Sequence, residues 1–236
     1  MEERFLRNTM FWGVDATEKL KNCHVAVVGI GGVGGYAAEA LARSGICRLT
    51  LVDNDTISES NINRQVAALS CTLGQFKADA MAKRILDINP AAEVNSSHLY
   101  YSSETRDEFF SAKYDYVVDA IDLVSCKLDL IKSAMERGIP IISARGTGNK
   151  IDPTQFTVCD ISKTINCSLA RVMRKELRKL GIKHHKVVYS PELPITPLEL
   201  EAPPPGRRSL PASLPWVPSS AGLLLACTVV RDILEI

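Results

Sequence analysis

The chain has 236 residues, 46% hydrophobic and 23% charged, with 28 Lys+Arg against 27 Asp+Glu for a net charge of +1. That apolar content excludes a chiefly disordered protein, and the charge balance excludes a globally basic nucleic-acid coat while leaving room for a local basic patch. The length suits one large domain or two small ones at ~150 residues each, with a core that needs no staples.

Met1 to Lys21 is charged and lacks the apolar run of a secretory signal. It reads as a segment ahead of the fold, either a solvated tail or an arm that carries Arg4 and Arg7 to a dimer partner. His24-Val-Ala-Val-Val-Gly29 is a short β-branched run, predicted as a buried strand. Residues 31–44 have helical spacing through Ala37, Ala40 and Leu41, with Gly45 as a stop. Arg48-Leu-Thr-Leu-Val-Asp53 is the next strand, so residues 24–53 form a βαβ unit and imply a parallel sheet.

Residues 74–89 read as a helix with Ala78, Met81, Ala82, Ile85 and Leu86 on one face. Strands are predicted at 93–99, 114–120 and 139–143, with a helix over 124–137. This alternation predicts an α/β fold of the Rossmann-like, doubly wound kind, with a mainly parallel sheet and a C-terminal extension. The texture changes after residue 150. Residues 1–150 read as a nucleotide-binding, Rossmann-like region. Residues 151–236 read as a further part of the same domain, with a strand at 155–159 and a helix over 168–180. That helix has Leu169, Val172, Met173, Leu177 and Leu180 on its apolar side. Residues 191–218 hold nine of the twelve prolines and read as a mobile extended loop. Leu223 to Leu234 reads as a closing helix. The most apolar late stretch, residues 221–230, is too short to span a bilayer, so no membrane insertion is expected.

Seven scattered cysteines, Cys23, Cys47, Cys71, Cys126, Cys159, Cys167 and Cys227, form no C-x-x-C pair. This argues against a disulfide scaffold and a cysteine zinc site, and for mostly buried thiols in a reducing, cytoplasmic setting.

Gly29-Ile-Gly31-Gly32-Val-Gly34 is a G-x-G-x-x-G loop between a strand and a helix. Its backbone N–H groups and the helix dipole suit phosphate. Asp53, at the end of the second strand, suits ribose hydroxyls. These features leave a dinucleotide and ATP both open. Ser60-Asn61-Ile-Asn63-Arg64-Gln65 adds amides and a guanidinium nearby, favouring a triphosphate. Lys77 offers a point charge, although an exposed helix lysine is the plainer reading. Asp119-Ala-Ile-Asp122 sits at a strand's carboxyl end, where a carboxylate holds Mg²⁺ or caps the next helix. Arg171, Arg174, Lys175, Arg178 and Lys179 give the 168–180 helix a basic face. With Lys183 and Lys186 against Glu176 alone, it reads as an RNA-backbone track rather than a merely solvated face.

Arg4-Phe-Leu-Arg7, the glycine loop, Leu51-Val-Asp-Asn-Asp55, residues 60–65, Lys77 and residues 119–122 together resemble the ubiquitin-activating-enzyme-like adenylyltransferases. That superfamily includes the enzymes that adenylate the sulfur carriers of molybdopterin and thiamine synthesis. The resemblance implies homodimers that use Mg-ATP to adenylate a carboxylate. It places Gly29, Gly31, Gly32, Gly34, Asp53, Asp55, Asn61, Asn63, Arg64, Gln65, Lys77, Asp119 and Asp122 around the nucleotide, and Mg²⁺ on Asp122. Arg64, Lys77, Asp122 and an Arg7 delivered from the partner would be the catalytic set. Gly148-Asn-Lys-Ile-Asp-Pro153, Asp160-Ile-Ser-Lys-Thr164, residues 168–178 and Pro218-Ser-Ser-Ala-Gly222 resemble one branch, the tRNA threonylcarbamoyladenosine dehydratases. That branch implies ATP-dependent cyclisation of the modified adenosine through a carboxyl-adenylate, with loss of water. It implies a tRNA partner, and it leaves room for a monovalent cation, Na⁺ or K⁺, and a sulfur-transfer protein. No required thioester role falls to Cys227. The alternatives are an adenylyltransferase for the C-terminus of a ubiquitin-like sulfur carrier, an NAD-dependent dehydrogenase and a non-catalytic scaffold.

Overall fold

Alternation along the first strand sets the layers. In β1 (His24–Val28), Val25 and Val27 enter one buried cluster while Ala26 and Val28 enter another. Successive side chains of a strand point to opposite faces, so an all-apolar strand needs cover on both. The structure, a computed structural model, describes residues 2–198, 200 and 211–236. β2 (Arg48–Val52), β3 (Glu93–Ser97), β4 (Tyr116–Asp119), β5 (Ile141–Ala144), β6 (Thr157–Asp160) and β7 (Lys186–Tyr189) join β1 in one sheet. The order is β3-β2-β1-β4-β5-β7-β6, and only β6 on β7 is antiparallel. β6 and β7, from beyond residue 150, therefore extend the sheet that the earlier strands begin.

One face carries α3 (Gly34–Arg43), α4 (Lys77–Ile88) and α8 (Trp216–Leu234). The other carries α5 (Arg106–Phe109), α6 (Val124–Glu136) and α7 (Ser168–Lys179). This is the expected doubly wound arrangement. α8 lies close against α3, because any side chain at Gly222 would collide with the Val33 carbonyl oxygen.

Several expectations need correction. The N-terminal segment is no tail: it folds as α1 (Leu6–Trp12) and α2 (Val14–Asn22), with Phe5 and Leu20 buried. Gly13, at φ 88, splits the segment into helices too short to show a periodic pattern. β7 was hidden because its apolar run, Val187 to Tyr189, is short and follows the basic stretch from Lys183 to Lys186. Leu86, Val172 and Leu180 are exposed, so the apolar faces of α4 and α7 are narrower than their spacing suggested. Only Cys126 among the seven cysteines is buried, while Cys71 and Cys227 are exposed.

α8 begins at Trp216, so residues 216–218 leave the expected loop. It has 19 residues and a mean hydropathy of 1.5, which is long and apolar enough to cross a membrane, but 56% of that apolar window is buried inside the protein. The middle of the proline-rich stretch, residues 199 and 201–210, lies outside the described residues, and the expected mobility of that part with it. Its two flanks meet at Asn149, which has φ 59. The Asn149 backbone N–H donates to Ala212 O at 2.8 Å, its carbonyl accepts from Ile195 N, and its Oδ1 accepts from Ala212 N at 2.7 Å. The buried Lys150 ammonium donates to the carbonyls of Ser190 and Glu192 beside them.

Candidate functional site

The chain turns from β1 toward β2 on one side and toward β4 on the other, and ligands of such sheets bind at the strand ends of that switch point. A cleft of about 500 Å³ opens there, within the range of small-molecule sites. A side chain at Gly34 would collide with the Gly29 carbonyl oxygen, so Gly34 is required by the tightness of the turn. Gly31 is different. A side chain there would find nothing nearer than the Gln65 amide at 3.9 Å, so the space beside Gly31 is open.

Asp53 braces this loop. One carboxylate oxygen accepts from the Ile30 N–H at 2.6 Å and the other from the Asp55 N–H at 2.9 Å. Burial pushes its carboxyl up, against the pull of Lys77. Lys77 is buried, not an exposed helix lysine, and its ammonium lies 2.7 Å from Asp55 Oδ2. Arg64 and Asp122 line the same cleft. Arg64 Nη1 donates to Ser60 O at 2.9 Å and to Asn63 Oδ1 at 2.8 Å. The helix after Asp122 starts at Val124, with Leu123 and not Asp122 at its N-cap position.

Gly29, Gly31, Gly32, Asp53, Asp55, Arg64, Gln65, Lys77 and Asp122 thus come together in the cleft. Besides Gly34, which shapes the turn, four expected residues stand elsewhere. Asn61 is buried and takes the Ser58 N–H at 3.1 Å, closing a turn. Asn63 donates to Ser213 O at 3.0 Å and aims Arg64. Arg7 is exposed on α1 and does not line the cleft of its own chain. Asp119 is fully buried beneath it, 2.9 Å from Lys127 Nζ and 3.6 Å from Arg145 Nη1.

Sequence reasoning missed Lys127 and Arg145. Lys127 lies on the apolar face of α6 beside Cys126, Leu130 and Ile131, where a lysine stands out. It also donates to Ile121 O, fixing the turn that carries Asp122. Arg145 follows a predicted strand on the ligand side of the sheet.

His185 completes the buried cluster. Its Nε2 lies 2.7 Å from Ser143 Oγ, and burial together with the nearby Arg145 guanidinium pushes its pKa down to about 3. The folded chain keeps this histidine neutral, whereas the unfolded chain protonates it below a pKa of ~6.5. The unfolded state therefore binds more protons, and stability falls as pH drops from about 6.5 toward 3, by up to ~1.4 kcal/mol per pH unit. His185→Gln is expected to flatten that limb of a urea-melt series against pH; an unchanged slope would remove His185 as its source.

The basic helix is only partly available. Arg174 Nη1 donates to Ile161 O, Thr164 O and Thr164 Oγ1, so it ties a turn and does not face a partner. Lys179 pairs with Glu176 and Lys186 with Asp232. Arg171, Lys175 and Arg178 remain exposed, with no ion pair among the described residues.

A model of the ThiF family matches residues 5–231. A Bacillus subtilis protein named tRNA threonylcarbamoyladenosine dehydratase is 46% identical over 244 residues, taking in 100% of this chain and 96% of that protein. Escherichia coli tRNA N6-threonylcarbamoyladenosine dehydratase, TcdA, in complex with ATP, superposes with a TM-score of 0.89 at 34% identity, over 99% of this chain and 94% of that one. Its complex with AMP gives 0.90. The Saccharomyces cerevisiae adenylyltransferase and sulfurtransferase UBA4 is 32% identical over 155 residues, 66% of this chain and 35% of that protein.

Proposed function

Because the chain belongs to the ThiF family, we propose that it is an ATP-dependent tRNA threonylcarbamoyladenosine dehydratase. One observation carries the reading: the likeness to a dehydratase runs the whole length of both chains, including the back half after residue 150. Likeness to the sulfur-carrier type of enzyme stops at 66% of this chain, which ranks that reading second.

ATP fits the cleft. In support, the open space at Gly31 would admit a phosphate chain, Asp53 lies at the end of the second strand where it would meet a ribose, and Arg64 and Lys77 bring positive charge to the cleft. Mg²⁺ fits Asp122, since it binds through one or two carboxylates plus phosphates and keeps its waters. It would offset charge on the phosphates. No group of three His, Cys, Asp or Glu gathers among the described residues, so a cage made wholly of protein ligands is not what the site offers. No residue is assigned to a monovalent cation.

In this reading the carboxylate of the modified adenosine attacks the α-phosphorus as the bond to pyrophosphate breaks. The ureido group then closes on the activated acyl carbon and AMP leaves. The chain's part is alignment and charge neutralisation by Arg64 and Lys77. A homodimer bringing Arg7 across draws support from its exposure on α1 beside Met10 and Phe11, which are 77% and 83% exposed. A cytoplasmic setting without membrane insertion draws support from the packing of α8 on α3 and from seven free thiols. A sulfur-transfer partner has only the name of the yeast relative behind it.

The test mixes the purified chain, Mg-ATP and tRNA bearing threonylcarbamoyladenosine. Loss of one water from that nucleoside, matched by AMP, is expected. No mass change, together with ATP–pyrophosphate exchange driven by a diglycine-ended carrier, would replace the reading with the second one.

For the RNA surface, charge reversal of Arg171, Lys175 and Arg178 together is expected to weaken tRNA binding at least about tenfold near 0.1 M salt. The salt dependence should also become shallower, by ~0.7–0.9 in log–log slope for each phosphate that the helix no longer neutralises. Unchanged affinity and slope would move tRNA off α7.

A further inference from the structure

Beneath the cleft lies a charge imbalance that nucleotide binding does not explain. Asp119, Lys127 and Arg145 have side chains that are 0%, 1% and 0% exposed. One carboxylate serves two cations, and the neighbouring His185 is neutral. Arg145 carries the surplus. Its Nε and Nη2 are buried and have no partner among the described residues. A charged donor left unmet in the interior is among the costlier features a fold retains.

The two unmet donors share one edge of the guanidinium. That edge forms the fork that matches a carboxylate with two parallel hydrogen bonds. Nη1, at the far corner, is already turned to Asp119. The unmet part of Arg145 therefore has the shape of a planar, two-oxygen anion.

Its place in the sheet says which anion. Asp53 follows β2, the glycine loop follows β1, Asp122 follows β4, and Arg145 follows β5. With strands ~4.8 Å apart, Arg145 stands two strands beyond the glycine loop. In the proposed reading the nucleotide's ribose and phosphates would take the β2, β1 and β4 positions. The next position outward is where the group that attacks the α-phosphorus must enter. Residues 144–148 form the cleft wall there.

We propose that Arg145 is the receptor for the acceptor substrate's carboxylate, gripped side-on through Nε and Nη2. The inference rests on the dehydratase reading for the identity of that acid, the carboxylate of the threonylcarbamoyl group. Because the side chain has no solvent contact, engagement requires the Gly146-Thr147-Gly148 turn to give way, and Gly146 sits at φ 60.

The test compares the wild-type chain with Arg145→Lys, which keeps the charge beside Asp119 and loses the fork. ATP affinity by calorimetry is expected within about twofold of wild type, and the KM for tRNA bearing threonylcarbamoyladenosine is expected to rise about 10- to 100-fold, the range of a charge-assisted pair. An unchanged KM overturns the proposal. A matching loss of ATP affinity also overturns it, by giving the anion to the nucleotide. Failure of the wild-type chain to convert the tRNA overturns the dehydratase reading itself. Should Arg145→Lys not fold, the wild-type chain is tested against the same tRNA with its threonyl carboxyl methylated. Binding weakened by a similar factor is expected, and equal binding of ester and acid overturns the proposal.

Discussion

Arg64→Ala is expected to lower the rate of nucleoside dehydration by about 10²–10³, the cost of removing one preorganised charge from developing negative charge. Its melting temperature should stay within about 1–2 °C, as for other partly exposed substitutions away from a core. The geometry supports both halves. Arg64 lines the cleft, yet among the described residues its side-chain hydrogen bonds run to Ser60 O and Asn63 Oδ1, inside its own loop. Asn63 holds the guanidinium and is itself tied to Ser213, so Asn63→Ala should reproduce a fraction of the loss. A rate near wild type for Arg64→Ala, measured by AMP release, would take Arg64 out of the chemistry.

Asp119→Asn should do the opposite, striking the fold before the reaction. It leaves Lys127 and Arg145 buried together without an anion. Breaking a buried pair in this way costs about 3–5 kcal/mol. At ~2–4 °C per kcal/mol for a chain of this size, the melting temperature should fall by roughly 6–20 °C. Asp122→Asn should leave melting nearly unchanged, because Asp122 is exposed in the cleft. If Asp119→Asn melted normally and lost only ATP binding, Asp119 would be a ligand after all. The two aspartates stand three residues apart and look equivalent in the sequence, and the sheet alone separates their roles.

The same contrast marks how far the sequence was legible. Short β-branched runs, a glycine loop and strand–helix alternation announced the doubly wound sheet, because each is a local pattern with a local cause. Gly31, Asp53 and Asp122 were legible for the same reason, being fixed by strand ends, whereas the burial of Lys77 at the start of α4 was not. Asn61 and Asp119 were misplaced because side-chain direction depends on partners distant in sequence, here Lys127 and Arg145 for Asp119. Arg174 looked like one more exposed base until the turn at 161–164 folded under it. α1, α2 and β7 were missed because each is too short to carry a periodic signal of its own.

Asn149 has a consequence for how this protein changes over time. It pins Ile195 and Ala212 to one point, next to Gly148 of the cleft wall, so the two ends of the intervening chain are held together. Closing a longer arc costs little, roughly 0.6 kcal/mol for each doubling of length. Insertions and deletions there leave the pin, the glycine loop and the floor where they are. The length of chain between Ile195 and Ala212 is thus open to change, while the residues that bind its two ends stay where they are.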